Sequence, residues 1–313
     1  MPALQRAANT GLKLLYRYSH SRSNRHNERL WPHVAIGRDA AGRIESFAYR
    51  GHPIALMNTA LAAGCASGPC HVIASGPSVN GIDYGQLALR RVMGVNGSIA
   101  LQDRHTVGFD HYCFSDTGFV RGRPALVRRI VTKDLLLFTT PLCLWHVLQQ
   151  VPADELRCRV FLIENPQYPA LLPSRSVAAL RAGGARGDLV LFDAQRALGF
   201  SHDIRSGVFD AGTVVYVALQ IVAWLGHTEI VLHGVDFKWE GPAPRFYESA
   251  ADRLPTTLDR YLPHHILPAF TQAARLLRGS GVRIVNLSPD SALAGAEFER
   301  RDWRTLVPNA AAS

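Results

Sequence analysis

The chain has 313 residues, 47% of them hydrophobic, with 34 Lys and Arg against 25 Asp and Glu and a formal net charge of +9. That composition supplies a core for one large α/β domain or two small ones and excludes a disordered chain. The basic balance suits an anionic partner (a nucleotide, nucleic acid or an acidic membrane surface) or serves solubility alone.

The five cysteines, Cys65, Cys70, Cys113, Cys143 and Cys158, form no C-x-x-C. They indicate neither a disulfide framework nor a zinc site and fit reduced, cytoplasmic thiols. No uncharged apolar run reaches the ~18 residues of a membrane span. The basic N-terminus lacks the apolar segment of a secretory signal.

Residues 1–69 read as a basic extension followed by a small unit. Within 1–35, Leu4, Leu12, Leu14, Leu15 and Tyr16 accompany Arg6, Lys13 and Arg17. Such a segment either lies as an amphipathic helix on an anionic membrane or forms a partly disordered tail. Residues 44–49 suggest a strand and 54–63 a helix.

From Cys70 the pattern alternates. Strands are expected at 70–75, 91–95, 111–115, 126–131, 158–163, 188–192, 229–233 and 282–287, and helices at 141–150, 174–182, 212–226 and 266–278. Alternation of this kind predicts an α/β fold, a Rossmann-like parallel sheet covered by helices on both faces. It occupies 70–300, with a Pro- and aromatic-rich lid at 237–263 and a C-terminal tail at 301–313. The lid carries Pro242, Pro244, Pro255 and Pro263 with Trp239, Phe246, Tyr247 and Tyr261. It is either a functional closure or a surface excursion packed by its own aromatics.

The run Cys70–Ser78 is a short β-forming stretch ending in Ser75-Gly76-Pro77-Ser78. A turn at the carboxyl end of a parallel strand is where open α/β sheets take ligands, although Ser, Gly and Pro also build plain tight turns. Asp210-Ala211-Gly212-Thr213 opens the helix before Gly226, as an anion-binding helix start or an ordinary cap. The strand at 229–233 brings Gly234 and Asp236 to the same edge, where Asp236 would meet a ligand hydroxyl or hold the lid. Asn96 and Asp116 each follow a strand-like run, as nucleotide contacts or as turn formers. His264 and His265, between lid and helix, are candidates for a general base among thirteen histidines. No metal-ligand spacing recurs.

Walker-type, G-x-G-x-x-G and G-x-S-x-G motifs are absent, as is an Asp-x-Asp pair. Those absences disfavour a P-loop NTPase, a hydride-transfer dehydrogenase and an α/β-hydrolase.

Three islands in order resemble the glycosyltransferase family 42 sialyltransferases of bacterial surface glycans. They are Ala74–Ser78 with Ile82-Asp83-Tyr84, Val215–Gly226 with Glu229–Phe237, and His264 with Ile284–Ser291. The resemblance spans roughly residues 70–295 and leaves the N-terminal 70 or so unmatched. It implies an inverting transfer of a keto-sugar acid from its CMP donor, sialic acid or alternatively Kdo, with no cofactor and no obligatory metal. The acceptor would be a hydroxyl of a lipopolysaccharide or surface glycan.

Carried over by position, His264 would be the base, with His265 the fallback, and Tyr247 would support the departing phosphate. Ser75, Gly76, Pro77, Ser78, Asn96, Asp116, Gly212, Thr213, Gly234 and Asp236 would hold the donor. Ser75 and Asp116 replace donor-contacting asparagines of the family, and Lys238 or Trp239 stands where its first lid tyrosine is expected; a lysine there could neutralise the leaving phosphate. A nucleotide-sugar donor and a glycan or glycolipid acceptor are the expected partners, not nucleic acid; the reduced thiols place the chain in the cytoplasm, and peripheral contact at the inner membrane face through the basic N-terminus and homo-oligomerisation are further expectations. A nucleotide- or pterin-phosphate transferase on a related fold, or a non-catalytic nucleotide or glycan binder, remain the alternatives.

Overall fold

The computed structural model describes residues 3–183, 187–193, 195–238, 244–249, 251–293 and 297–308. Helix α1 (Ala3–Ser19) and a 3-10 turn at Arg22–Asn27 lead into a three-stranded antiparallel sheet of β1 (Val34–Arg38), β2 (Ile44–Tyr49) and β3 (His52–Ile54). There follow β4 (Pro69–Ile73), β5 (Val92–Val95), β6 (His111–Phe114), α2 (Thr117–Gly122), α3 (Pro124–Val131), β7 (Leu136–Thr139), α4 (Pro141–Val147) and β8 (Arg159–Leu162). After α5 (Val177–Gly183), β9 (Leu189–Leu191) and β10 (Gly199–Ser201) come α6 (Val214–Leu225), β11 (Glu229–His233), α7 (Leu258–Tyr261), a π-helical turn at Leu262–Ile266, α8 (Leu267–Gly279), β12 (Arg283–Asn286) and β13 (Glu299–Arg300).

Eight of these strands form one parallel sheet in the order β13-β12-β11-β4-β5-β6-β7-β8. Seven of them, all but the two-residue β13, are buried nearly throughout, as strands covered on both faces must be. β4 has β5 on one side and β11 on the other. The chain therefore winds outward from β4 in one direction and later in the opposite one. The reversal opens a crevice above the carboxyl ends of β4 and β11.

Helix α6 fills one face. Of its twelve residues, ten are buried, and it begins with Thr213 as N-cap and ends on Gly226 in the left-handed region. Each Val, Leu or Ile so buried contributes about 1.5–3 kcal/mol. The opposite face carries α3 and α4, and Leu30, Val34, Ile44 and Phe47 of the N-terminal unit join that same core.

Three sequence expectations are corrected. Residues 126–131 are helical, because Val127, Ile130 and Val131 bury one face around exposed Arg128 and Pro124 starts the turn. The strand before α4 is instead β7, from the run Leu136–Thr139. Residues 54–63 form no helix: Leu56 bridges Val160, and buried Asn58 exchanges two 2.8 Å hydrogen bonds with the backbone of Leu162. This segment thereby covers the edge of β8. The strand expected at 188–192 exists as β9, but it pairs antiparallel with β10 outside the parallel sheet. Among the described residues no helix is long and apolar enough to cross a membrane.

Candidate active site

The carboxyl ends of β4 and β11 are locked together. Gly76 N–H donates to the Gly234 carbonyl at 2.9 Å, and Ala74 N–H to that of His233 at 2.9 Å. A Cβ at Gly76 would lie 2.5 Å from both the Asp236 Oδ2 and the Gly234 carbonyl oxygen. Gly234 has φ +66, a conformation that favours glycine. Asp236 Oδ2 accepts from Ser78 N–H at 2.7 Å, so this carboxylate holds the Ser75–Ser78 turn in place. Beneath, His233 lies 3.0 Å from His71 and 3.3 Å from the Tyr84 hydroxyl, a buried polar chain that ties the same two strands.

Above this junction lies a cavity of about 950 Å3. Ser75, Gly76, Pro77, Gly234 and Asp236 form one wall. Asn96 and Asp116, at the ends of β5 and β6, continue it. Asn96 sits at φ +45, and the Tyr112 hydroxyl donates to its carbonyl at 2.7 Å. Its side-chain Oδ1 is buried without a hydrogen-bond partner among the described residues. Asp116 caps α2 by accepting from Gly118 N–H at 2.7 Å while facing the cavity.

The facing wall is the start of α6. Gly212, Thr213, Val214 and Val215 line it, aiming the positive end of the helix dipole at the space. Asp210 accepts from Gly212 N–H at 2.7 Å. Its carboxyl opens to the cavity yet is surrounded by protein, and this burial raises its pKa; the Gly212 N–H opposes the rise and the charge of Asp116 adds to it. Buried Gln220 bonds both the N–H and the carbonyl of Phe209, at 3.0 and 2.8 Å, and so fixes the segment that delivers Asp210.

The two histidines part company. His264 is exposed and does not line the cavity, whereas His265 does. Both ride the π-helical turn. Pro268, four residues on, has no N–H to give the His264 carbonyl, and the Arg196 guanidinium donates to it instead. Arg196 is held by Asp193, with Nε 2.7 Å from Oδ2. Tyr261 stands edge-on to His265 at 5.1 Å between ring centroids. The His265 Nδ1 is buried without a partner among the described residues. Its pKa is lowered by burial first, then by the charges of Arg196 and His264, with Asp193 opposing.

Three further predicted positions lie off the cavity wall. The Ser78 hydroxyl pairs with that of Ser288 at 3.0 Å. Lys238 Nζ lies 3.9 Å from Asp290. Tyr247 rests on the Gly97 backbone, next to Asn96, with the Arg123 guanidinium 5.9 Å from its ring centroid. Burial pushes the Tyr247 phenol up to about 12, so it stays protonated at neutral pH. The neighbouring Phe246 N–H donates to the Ser75 carbonyl at 3.0 Å, docking this segment on the Ser75–Ser78 turn. Trp239 and Pro242 fall outside the described residues.

Asn165, Gln167, Tyr168, Arg196, Arg245 and Tyr261 also line the cavity, and no motif marks them in the sequence. Asn165–Tyr168 directly follows a strand run, and that position is the signal that could have found it. Arg245 is paired with the almost wholly buried Glu248 at 2.7 Å, and Arg123 reaches the same carboxylate at 3.1 Å. No group of three or more His, Cys, Asp or Glu among the described residues could hold a metal ion.

Residues 187–296 match the family model described as 3-deoxy-D-manno-octulosonic acid transferase WaaZ. The matched stretch contains Arg196, Asp210–Val215, Gly234–Asp236, Arg245, Tyr261 and His265, the α6 and β11 side of the cavity. Among solved structures, the chain is similar to the Maf glycosyltransferase of Magnetospirillum magneticum AMB-1 at 14% identity and TM-score 0.45, over 80% of this chain and 36% of that one. It is also similar to the sialyltransferase CstII of Campylobacter jejuni, solved with the substrate analogue cytidine-5'-monophosphate, at 15% identity and TM-score 0.38, over 72% and 82% of the two chains. The same enzyme with CMP-3FNeuAc gives 16% identity and TM-score 0.36, over 78% and 87%. No curated protein matches the sequence.

Proposed function

We propose that this protein is an inverting glycosyltransferase that moves a keto-sugar acid from its CMP donor to a hydroxyl of a bacterial lipopolysaccharide-type glycan. The observation that carries the reading is the overlap of the Kdo-transferase match with the α6, β11 and His265 side of the cavity. Kdo is the favoured donor for that reason, and sialic acid is the other.

In this reading the cytidine and ribose lie along Ser75, Gly76, Asn96 and Asp116, where the unpaired Asn96 Oδ1 awaits a donor. Phosphate and sugar carboxylate face the start of α6 and Arg245. One phosphate carries less charge than a diphosphate, so N–H and cationic donors stabilise its departure without a metal. The acceptor hydroxyl oxygen bonds to the anomeric carbon as the bond from that carbon to the phosphate oxygen breaks. The bonding pair leaves with CMP and the hydroxyl proton passes to the imidazole of His265. Exposed Leu14, Leu15 and Tyr18 on α1 support peripheral membrane contact from the cytoplasmic side.

The test is CMP release from CMP-Kdo and from CMP-sialic acid with a rough lipopolysaccharide as acceptor. One donor should release CMP, His265→Ala should lower kcat by about 10²–10⁴, and His264→Ala should have little effect. Absence of release from both donors, or full activity in His265→Ala, contradicts the proposal.

A further inference from the structure

Among the described residues four large hydrophobic side chains are exposed, and three of them lie on α1. The fourth, Tyr168, is 49% exposed at the cavity mouth, beside the amides of Asn165 and Gln167. An aromatic ring left open next to two amides matches a sugar, which has an apolar C–H face and a hydroxyl-bearing rim. Asn165 Oδ1 accepts from the Gln167 backbone N–H at 2.8 Å, which fixes this amide side chain on the cavity wall.

The loop that presents Tyr168 is held with more contacts than a plain connection needs. Arg38 of β1 grips Glu164 through two bonds of 2.6 and 2.9 Å, and Glu164 also accepts from Ala170 N–H at 2.9 Å. The His26 Nε2–H donates to the Pro169 carbonyl at 2.9 Å, and its ring stands edge-on to Tyr168 with centroids 5.6 Å apart. Asn27 clasps the loop just after Tyr168 with both ends of its amide, accepting from Leu171 N–H at 2.8 Å and donating to the Leu172 carbonyl at 2.9 Å. Leu171 sits at φ +59, an uncommon conformation for a branched residue that this clasp maintains. Every one of these supports comes from residues 22–38 or from the loop itself.

We propose that Asn165–Tyr168 is the acceptor subsite, with the Tyr168 ring as the platform for one sugar ring of the acceptor glycan and residues 22–38 as its buttress. The inference rests on the glycosyltransferase reading and assigns a role to the N-terminal unit, which lies outside the matched stretch. The donor occupies the β4–β11–α6 side, the acceptor enters across Tyr168, and His265 lies on the wall of the same cavity.

The experiment is saturation-transfer NMR and titration of the full chain with delipidated core oligosaccharide from a rough lipopolysaccharide, with and without CMP. Thermal shift with CMP reports the donor site separately. Tyr168→Ala should weaken oligosaccharide binding at least tenfold, and Tyr168→Phe should retain it. The CMP shift in Tyr168→Ala checks that the fold and donor site are intact. Failure of the parent protein to bind the oligosaccharide, or equal binding by Tyr168→Ala, overturns the subsite. A missing CMP shift with Tyr168-dependent oligosaccharide binding overturns the donor reading instead.

Discussion

His265 is where sequence and geometry meet most closely. Two adjacent histidines offered themselves as a base, and only one faces the cavity. The choice is made by a π-helical turn and by Pro268, neither of which hydrophobic periodicity registers. Its lowered pKa keeps the imidazole neutral, hence able to accept a proton, at neutral pH. A base must be unprotonated to act, so activity should fall only as pH drops through this lowered value. The acid limb of kcat/KM should therefore lie below the ordinary histidine range of about 6.5. Replacing Arg196, whose charge contributes to the lowering, should move that limb upward. An acid limb above pH 7, or one that Arg196→Ala leaves in place, would show that His265 is not the titrating base.

At the scale of elements, the junction of β4 with β11 positions everything above it. Gly76→Ala would force a methyl group against a backbone carbonyl and the Asp236 carboxylate. Overpacking of this kind costs about 1–3 kcal/mol, and a melting experiment should show a drop of about 2–4 °C for each kcal/mol. Unchanged melting would mean that the two strand ends are not locked as described. The junction was legible in the sequence because β-forming runs followed by Ser-Gly-Pro-Ser and Gly-Val-Asp mark strand ends. The helix α3 was not: its apolar pairs around two arginines read as a strand until Pro124 is taken as a helix start. Residues 54–63 misled in the opposite sense, since their apolar content serves edge cover along β8. Tyr168 carries no local motif, and its exposure follows from contacts made by residues more than a hundred positions earlier.

The whole molecule is a parallel sheet wound both ways from β4, with a separate N-terminal unit packed on its β8 side. That arrangement puts a helix start, the ends of four strands and a histidine around one cavity, and an aromatic loop at its mouth. The central claim is that this cavity grips a cytidine monophosphate moiety. The measurement that tests it is the thermal shift of the full chain with CMP, CDP, UDP, GDP and ATP, each with and without Mg²⁺. A ligand that binds the native state alone stabilises it by about 2.7 kcal/mol at a hundredfold excess over Kd. CMP should raise the melting temperature without Mg²⁺, and Asn96→Ala should diminish that rise. No response to CMP, or a response confined to ATP with Mg²⁺, would contradict the account.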